Sequence, residues 1–254
     1  MKIVRYTVDK KTEYGIMEGE TVRGLAGTPY HRPKANGQSH RLSDLRLLSP
    51  CQPSKIVAVG LNYRSHAEEF KRPIPPEPLL FLKPSTSVIG PEDSIIYPDS
   101  SQRIDYEGEL GVVIGSRAWK VPRDEARRYI LGYTCFNDVT ARDLQSRDKQ
   151  WTRAKGFDTF APIGPCIETE LDPDHLALET RLNGELKQQT NTSDLIFPVD
   201  ELVSFISHVM TLLPGDVIAT GTASGIGPMQ PGDTVEIKIE KIGTLRNYMA
   251  KPAI

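Results

Sequence analysis

The sequence predicts a strand-dominated α+β fold. Short apolar runs bounded by turn residues recur along the whole chain, helical stretches are few, and strands and helices do not alternate regularly. That pattern argues against a doubly wound parallel sheet. Residues 2–8, 12–17 and 21–25 read as strands separated by polar turns such as Asp9-Lys10-Lys11, which suits a small antiparallel meander. Residues 30–40 are rich in turn formers and read as a linker, with His31 and His40 as solvated loop residues. The main body opens with Lys55-Ile56-Val57-Ala58-Val59-Gly60, a short buried strand ending in glycine. Residues 61–71 are mostly polar and can form one or two helical turns, which the prolines from Pro73 to Pro78 stop. Residues 79–83 and 110–114 read as strands. The segment 122–129 has proline first, acids early and arginines late, which fits a helix and its dipole. Residues 133–137 return to strand. Residues 201–212 form a helix through Leu202, Val203, Phe205, Ile206 and Val209, ended by Pro214-Gly215-Asp216. Strands at 217–220 and 234–240 follow. The organisation is a small β cap over residues 1–50 and a main domain over 51–254.

Composition narrows the class of function. Of 254 residues, 38% are hydrophobic and 25% charged, an ordinary globular mixture. A net charge of −2 offers no basic surface for a phosphate backbone, so no nucleic acid is expected. The first residues alternate apolar with polar, unlike a signal peptide, and no stretch is long enough for a membrane helix. Cys51, Cys135 and Cys166 are odd in number and widely spaced; they read as buried apolar residues in a reducing cytoplasm.

The most informative stretch is Ile104-Asp105-Tyr106-Glu107-Gly108-Glu109-Leu110-Gly111-Val112-Val113-Ile114. In a strand, residues two apart share a face, so Glu107 and Glu109 aim at one point. Two adjacent buried anions need a cation or a proton between them. All-oxygen ligation favours Mg²⁺, Mn²⁺ or Ca²⁺ over zinc. An exposed acidic strand face, continued by Asp105, is the competing reading. Asp138 stands at the end of an apolar strand and either completes the ligand set or caps the segment after it. The glycine-rich stretch after Gly221 fits neither a nucleophile elbow nor a phosphate loop, because the serine is misplaced and no Gly-Lys-Ser/Thr follows.

Read in order, six stretches resemble the fumarylacetoacetate hydrolase family. They are Gly60-Leu61-Asn62-Tyr63-Arg64-Ser65-His66-Ala67-Glu68-Glu69, Phe81-Leu82-Lys83-Pro84-Ser85, Asp105-Tyr106-Glu107-Gly108-Glu109-Leu110-Gly111, Asn137-Asp138-Val139-Thr140-Ala141-Arg142-Asp143-Leu144-Gln145, Lys155-Gly156-Phe157-Asp158 and Gly215-Asp216-Val217-Ile218-Ala219-Thr220-Gly221-Thr222. The resemblance implies a mixed β-roll, a homodimer, and Mg²⁺ or Mn²⁺ on Glu107, Glu109 and Asp138. It implies Lys155 in the metal pocket, where its ammonium offsets the surplus charge of three carboxylates against one divalent ion; without the family context Lys155 reads as a surface lysine. His66 and Glu69 correspond to a catalytic dyad, and their i, i+3 spacing puts both on one side of a helix. A surface His–Glu contact is the alternative. Arg142, Gln145 and Thr222 correspond to substrate-contacting residues, and a guanidinium suits a carboxylate. Ala223 departs from the family's usual proline, which loosens the turn that places Thr222.

These parts imply an enzyme acting on a 2-oxo acid through a stabilised enolate. C–C hydrolysis of an acylpyruvate, with His66 and Glu69 activating water, is the favoured reaction. Decarboxylation or isomerisation of a 2-oxo or 2-hydroxydienoate diacid shares the same intermediate. A non-catalytic metal and 2-oxo acid binding protein is the reading of another class.

Overall fold

Alternation along the central strands decides the architecture. Every residue of Gly108–Ile114 is buried. Val112 joins one apolar layer and Val113 another, and Cys135/Phe136 and Ile218/Ala219 divide the same way. Strands apolar on both faces belong inside a sheet covered on both sides. The computed structural model describes residues 1–31, 33–69 and 73–252, and the side chains of His66 and Glu69 lie outside the described part.

Among the described residues the main sheet has twelve strands. From one edge its path runs through Lys34–Arg41, Thr21–Ala26, Lys11–Glu18, Lys2–Val8, Ala161–Glu168, Ile130–Asn137, Gly108–Ile114, Val217–Thr222, Ile56–Gly60 and Leu79–Lys83. After Lys83 the chain turns back, and Val88–Ile89 pairs in parallel with Ala161 and Pro162. That pairing rolls the sheet around the apolar layer of Ile56, Val113, Phe136, Ile163 and Ala219. A five-stranded sheet, including Ala177–Leu182, Thr234–Ile239 and Gly243–Ala250, covers the outer face. Leu178, Ile237, Leu245 and the buried side of helix Val199–Val209 pack there against Val57, Val112 and Ile218. The strand-dominated mixed roll therefore stands. No helix among the described residues is long and apolar enough to cross a membrane.

Several local expectations need correction. Residues 30–40 are not simply a linker: Lys34–Arg41 is a strand paired with Thr21–Ala26. It is polar throughout and buries almost nothing, so it lacks the apolar period by which a strand is recognised, and its ladder bonds hold it. His40 lies on this strand, half-buried, with its ring edge-on to Tyr6 at 5.7 Å, whereas His31 is exposed. Residues 123–129 form 3₁₀ turns, not an α-helix; the Glu125 N–H donates to Pro122 O, three residues back. The long helix begins at Val199, directly after Pro198. Of residues 61–71, Arg64–Glu69 are helical, and residues 70 and 71 lie outside the described residues. Strands at Ala161–Glu168, Glu185–Asn191 and Gly243–Ala250 were not expected: the first is broken by Pro162, Gly164 and Pro165, and the second is polar almost throughout. All three cysteines are buried and free. The N-terminal strands continue the main sheet through Lys2 opposite Glu168 and Ile3 opposite Ile167.

Candidate metal centre

Glu107 occupies the single position between two strands of different sheets. Ile104–Tyr106 belongs to a three-stranded sheet and Gly108–Ile114 to the main one. The sequence reading puts both glutamates on one strand face; the structure puts Glu107 at a switch point and Glu109 in the strand, and both side chains still line the same cavity of about 470 Å³. Asp138 follows Ile130–Asn137, the neighbouring strand. Two bonds lock the acid-bearing segments together: Glu107 N–H donates to Asn137 Oδ1 at 3.0 Å, and Asp138 N–H to Glu107 O at 2.9 Å. One carboxylate oxygen from each of Glu107, Glu109 and Asp138 lies within 4.8 Å of the others, and all three residues are buried. Asp138 caps no helix; the following helix Arg142–Asp148 has no side-chain cap.

Glu109 Oε2 accepts the Gly221 N–H at 2.8 Å. Gly221 has φ +100°, and a Cβ there would fall 2.8 Å from the Asn62 Cβ, so only glycine presents this N–H. Lys155 belongs to the helix Thr152–Gly156. Its Nζ donates to Glu107 Oε2 at 2.9 Å and to Asp138 Oδ2, and lies 5.1 Å from the Phe81 ring centroid. A second lysine, to which the sequence reading gave no role, completes the floor. Lys83 ends the strand Leu79–Lys83 and is fully buried. Its Nζ donates to Asp138 Oδ1 at 2.6 Å and to Val139 O at 3.2 Å. The available signal was parity: Lys83 shares a strand face with Leu79 and Phe81, which line the cavity.

The three acids are held differently. Burial pushes the Glu107 carboxyl up, but Lys155 and Arg142 outweigh it and bring it down to about 2. Burial raises Glu109 well above the usual carboxylate range, reinforced by the charges of Asp138 and Glu107. Burial lowers Lys83 against the pull of Asp138. For Lys155 burial acts downward too, yet Asp138 and Glu107 carry it above the ordinary lysine value. Glu109 is thus the acid short of positive charge, facing two others across a gap of ion size. An all-oxygen set with one under-compensated carboxylate fits a hard divalent cation. The lysines do not preclude it, since each carboxylate oxygen keeps a second lone pair.

One cavity wall is polar. Arg142 opens its helix and spends its fork on three partners: Nε on Asp105 Oδ2 at 2.9 Å, Nη1 on Gln145 Oε1 at 2.6 Å, and Nη2 on Glu107 Oε1. Thr222 Oγ1 donates to Gly108 O at 3.0 Å and accepts from Gln188 Nε2 at 2.9 Å. Gln188 also donates to Ala223 O at 2.9 Å, so a cross-sheet amide holds the turn that lacks proline. Sequence reasoning missed Gln188, which is distant in the chain and in an unremarkable polar run. The opposite wall is apolar. Trp151 meets Phe81 edge-to-face, ring centroids 5.1 Å apart, and a Cβ on Gly60 would lie 2.9 Å from its ring. His66 and Glu69 lie on Arg64–Glu69, which is tethered where Ser65 donates from N–H and Oγ to Asp194 Oδ2 at 3.1 and 2.7 Å.

Residues 55–250 match the family model described as fumarylacetoacetate (FAA) hydrolase C-terminal, and residues 1–50 match one described as Rv2993c-like, N-terminal. The chain is similar to the crystal structure of 2-hydroxyhepta-2,4-diene-1,7-dioate isomerase from Mycobacterium marinum (44% identity, TM-score 0.94, all of both chains covered). It is 41% identical to the mitochondrial oxaloacetate tautomerase FAHD2B of Bos taurus, over 81% of this chain and 69% of that protein. It also resembles, at 26% identity and TM-score 0.84 over the full length of both, maleylpyruvate hydrolase from Sphingobium sp. SYK-6 in complex with manganese (II) ion and pyruvate.

Proposed function

The chain belongs to the fumarylacetoacetate hydrolase family, and on that premise we propose that it is a divalent-metal-dependent enzyme that shifts a proton beside the keto group of a 2-oxo acid. The observation that carries this reading is the buried triad Glu107, Glu109 and Asp138, with Lys155 bridging two of its members. The triad would hold Mg²⁺ or Mn²⁺, with Ca²⁺ compatible with the same oxygens. Once bound, that ion supplies positive charge where the keto oxygen turns negative.

The chain's own groups do the rest. Lys155 keeps its proton, because two carboxylates hold its ammonium charged, and so adds a donor next to that oxygen. Phe81 and Trp151 keep water from one side of the site. Arg142, Gln145 and Thr222 would fix the substrate carboxylate, and His66 with Glu69 would move the proton at the neighbouring carbon. The cap over residues 1–50 and the catalytic unit over 51–254 would form one subunit of a cytoplasmic homodimer.

Isomerisation or tautomerisation comes first because relatives with those names are 41–44% identical over most of the chain. C–C hydrolysis of an acylpyruvate is the second reading, favoured by the resemblance to maleylpyruvate hydrolase; there His66 and Glu69 would activate water. Decarboxylation would use the same charge stabilisation. The test is a panel of 2-oxo acids followed by NMR, with metal-stripped and metal-restored protein. Proton exchange beside the keto group supports the first reading, pyruvate plus an acid the second, and CO₂ release decarboxylation. Turnover unaffected by stripping would contradict all three, and binding without turnover would make the chain a 2-oxo acid binding protein.

A further inference from the structure

We propose that Arg103 makes this cavity selective for a dianionic substrate, a 2-oxo acid whose second carboxylate is gripped at the mouth. The inference rests on the function proposed above and adds a specificity-determining residue to it. Four carboxylates (Asp105, Glu107, Glu109 and Asp138) share the cavity region with four cations, Lys83, Lys155, Arg103 and Arg142. With all four carboxylates ionised, as when a cation replaces the Glu109 proton, this described set is balanced. A divalent cation leaves two positive charges in excess, which a monoanion halves and a dianion cancels. At the buried floor of the cavity, an uncancelled charge is costly.

Only one of the four cations is free to take the second carboxylate. Lys83 and Lys155 are buried at the floor. Arg142 bonds Asp105, Gln145 and Glu107 inside the site, and its remaining N–H groups are assigned to the carboxylate beside the keto group. Arg103 differs in position and in reserve. Its side chain is 51% exposed and lines the cavity. It holds Asp105 with Nε at 2.8 Å and Nη2 at 3.1 Å, while its Nη1 makes no hydrogen bond among the described residues. Asp105 is fully buried and answers two guanidinium groups with one carboxylate, so the surplus positive charge appears on the open side of Arg103. The Arg142 N–H donates to the Arg103 carbonyl at 2.9 Å, which fixes the two arginines side by side. The apolar part of the lining, Val59, Leu79, Phe81, Trp151 and Ile226, offers a distal carboxylate no charge. Among the described residues, a substrate seated at the triad therefore meets open positive charge on one side only. Asp105 acts as the positioning residue that keeps the Arg103 fork turned toward the mouth.

The experiment uses the metal-loaded full chain with oxaloacetate and 2-oxobutanoate, a diacid and a monoacid of four carbons each. Deuterium exchange beside the keto group, and competition of each acid for binding, are measured for wild type, Arg103→Met and Arg103→Lys. The methionine variant is expected to lose about 10- to 100-fold in kcat/KM on oxaloacetate, chiefly through KM, as suits one charge-assisted pair. Exchange of 2-oxobutanoate should stay within about twofold, and lysine should restore part of the loss because it keeps charge without the fork. Unchanged metal affinity and circular dichroism identify a folded variant. Equal losses on both acids, or none on oxaloacetate, would overturn the role of Arg103 alone. Wild-type protein that binds and exchanges neither acid would overturn the functional reading, and this inference with it.

Discussion

At the cavity floor, Lys83 and Lys155 lie buried against Asp138 and Glu107, and each ammonium has a carboxylate within hydrogen-bond reach. At the mouth, Arg103 is half exposed, and Asp105 is shared between it and Arg142. The floor is a set of largely buried charges that must satisfy one another. The mouth keeps donors open to whatever enters. Floor residues should therefore govern folding and cation affinity together, and mouth residues should govern which acid is accepted.

Substitution in the floor should have the largest effect. Glu109→Gln is expected to weaken Mn²⁺ binding more than about 100-fold, beyond the loss of an outer-shell partner, because a ligand itself is removed. Calorimetric titration measures it. Lys83→Met should cost about 3 kcal/mol of stability by denaturant unfolding, since it strips one of two cations from the buried Asp138. A loss below about 1 kcal/mol would mean that water already screens this pair and that floor and mouth are less different than described.

The pH dependence separates the two regions further. Burial and the nearby Asp138 and Glu107 hold the folded Glu109 carboxyl above its ordinary 4.5. The folded metal-free protein thus keeps a proton that the unfolded chain releases, and its stability should fall as pH rises from about 4.5 toward that raised value. On the proposed reading Mg²⁺ would displace this proton, so the gain in Tm on adding Mg²⁺ should grow across the same window. Glu107, brought down to about 2, acts oppositely, and its stabilisation disappears only as pH falls toward that value. Thermal scans with and without Mg²⁺ from pH 5 to 8 check the sign for Glu109, and metal-free scans from pH 5 down to about 2 check that for Glu107. A pH-independent gain would remove Glu109 from the cation site.

The smallest expected effect tests the apolar wall. Gly60→Ala drives a Cβ to within 2.9 Å of the Trp151 ring and should cost about 1–2 kcal/mol by overpacking, with metal affinity unchanged.

Much of the floor was legible from the chain. Glu107 and Glu109 sit two apart beside an apolar run, and Asp138 ends another, so their convergence follows from strand geometry even though Glu107 proved to be a switch between sheets. Lys83 was hidden because a lysine closing an apolar strand looks like a solvated end; only the roll of the sheet turns that face into a cavity. Arg103 and Asp105 were obscured for the same reason, as an acidic rim and its neighbour become a charged mouth only once Arg142 is folded beside them. Gln188 comes from another sheet and has no local mark. The polar strand Lys34–Arg41 shows the complementary case: where ladder bonds rather than buried side chains hold a strand, periodicity is silent.

The most direct test of the metal centre is calorimetric titration of Mn²⁺ into metal-stripped protein, wild type against Glu109→Gln. One site per chain is expected in the wild type and none of comparable affinity in the variant. Equal stoichiometry and affinity in both proteins would contradict it.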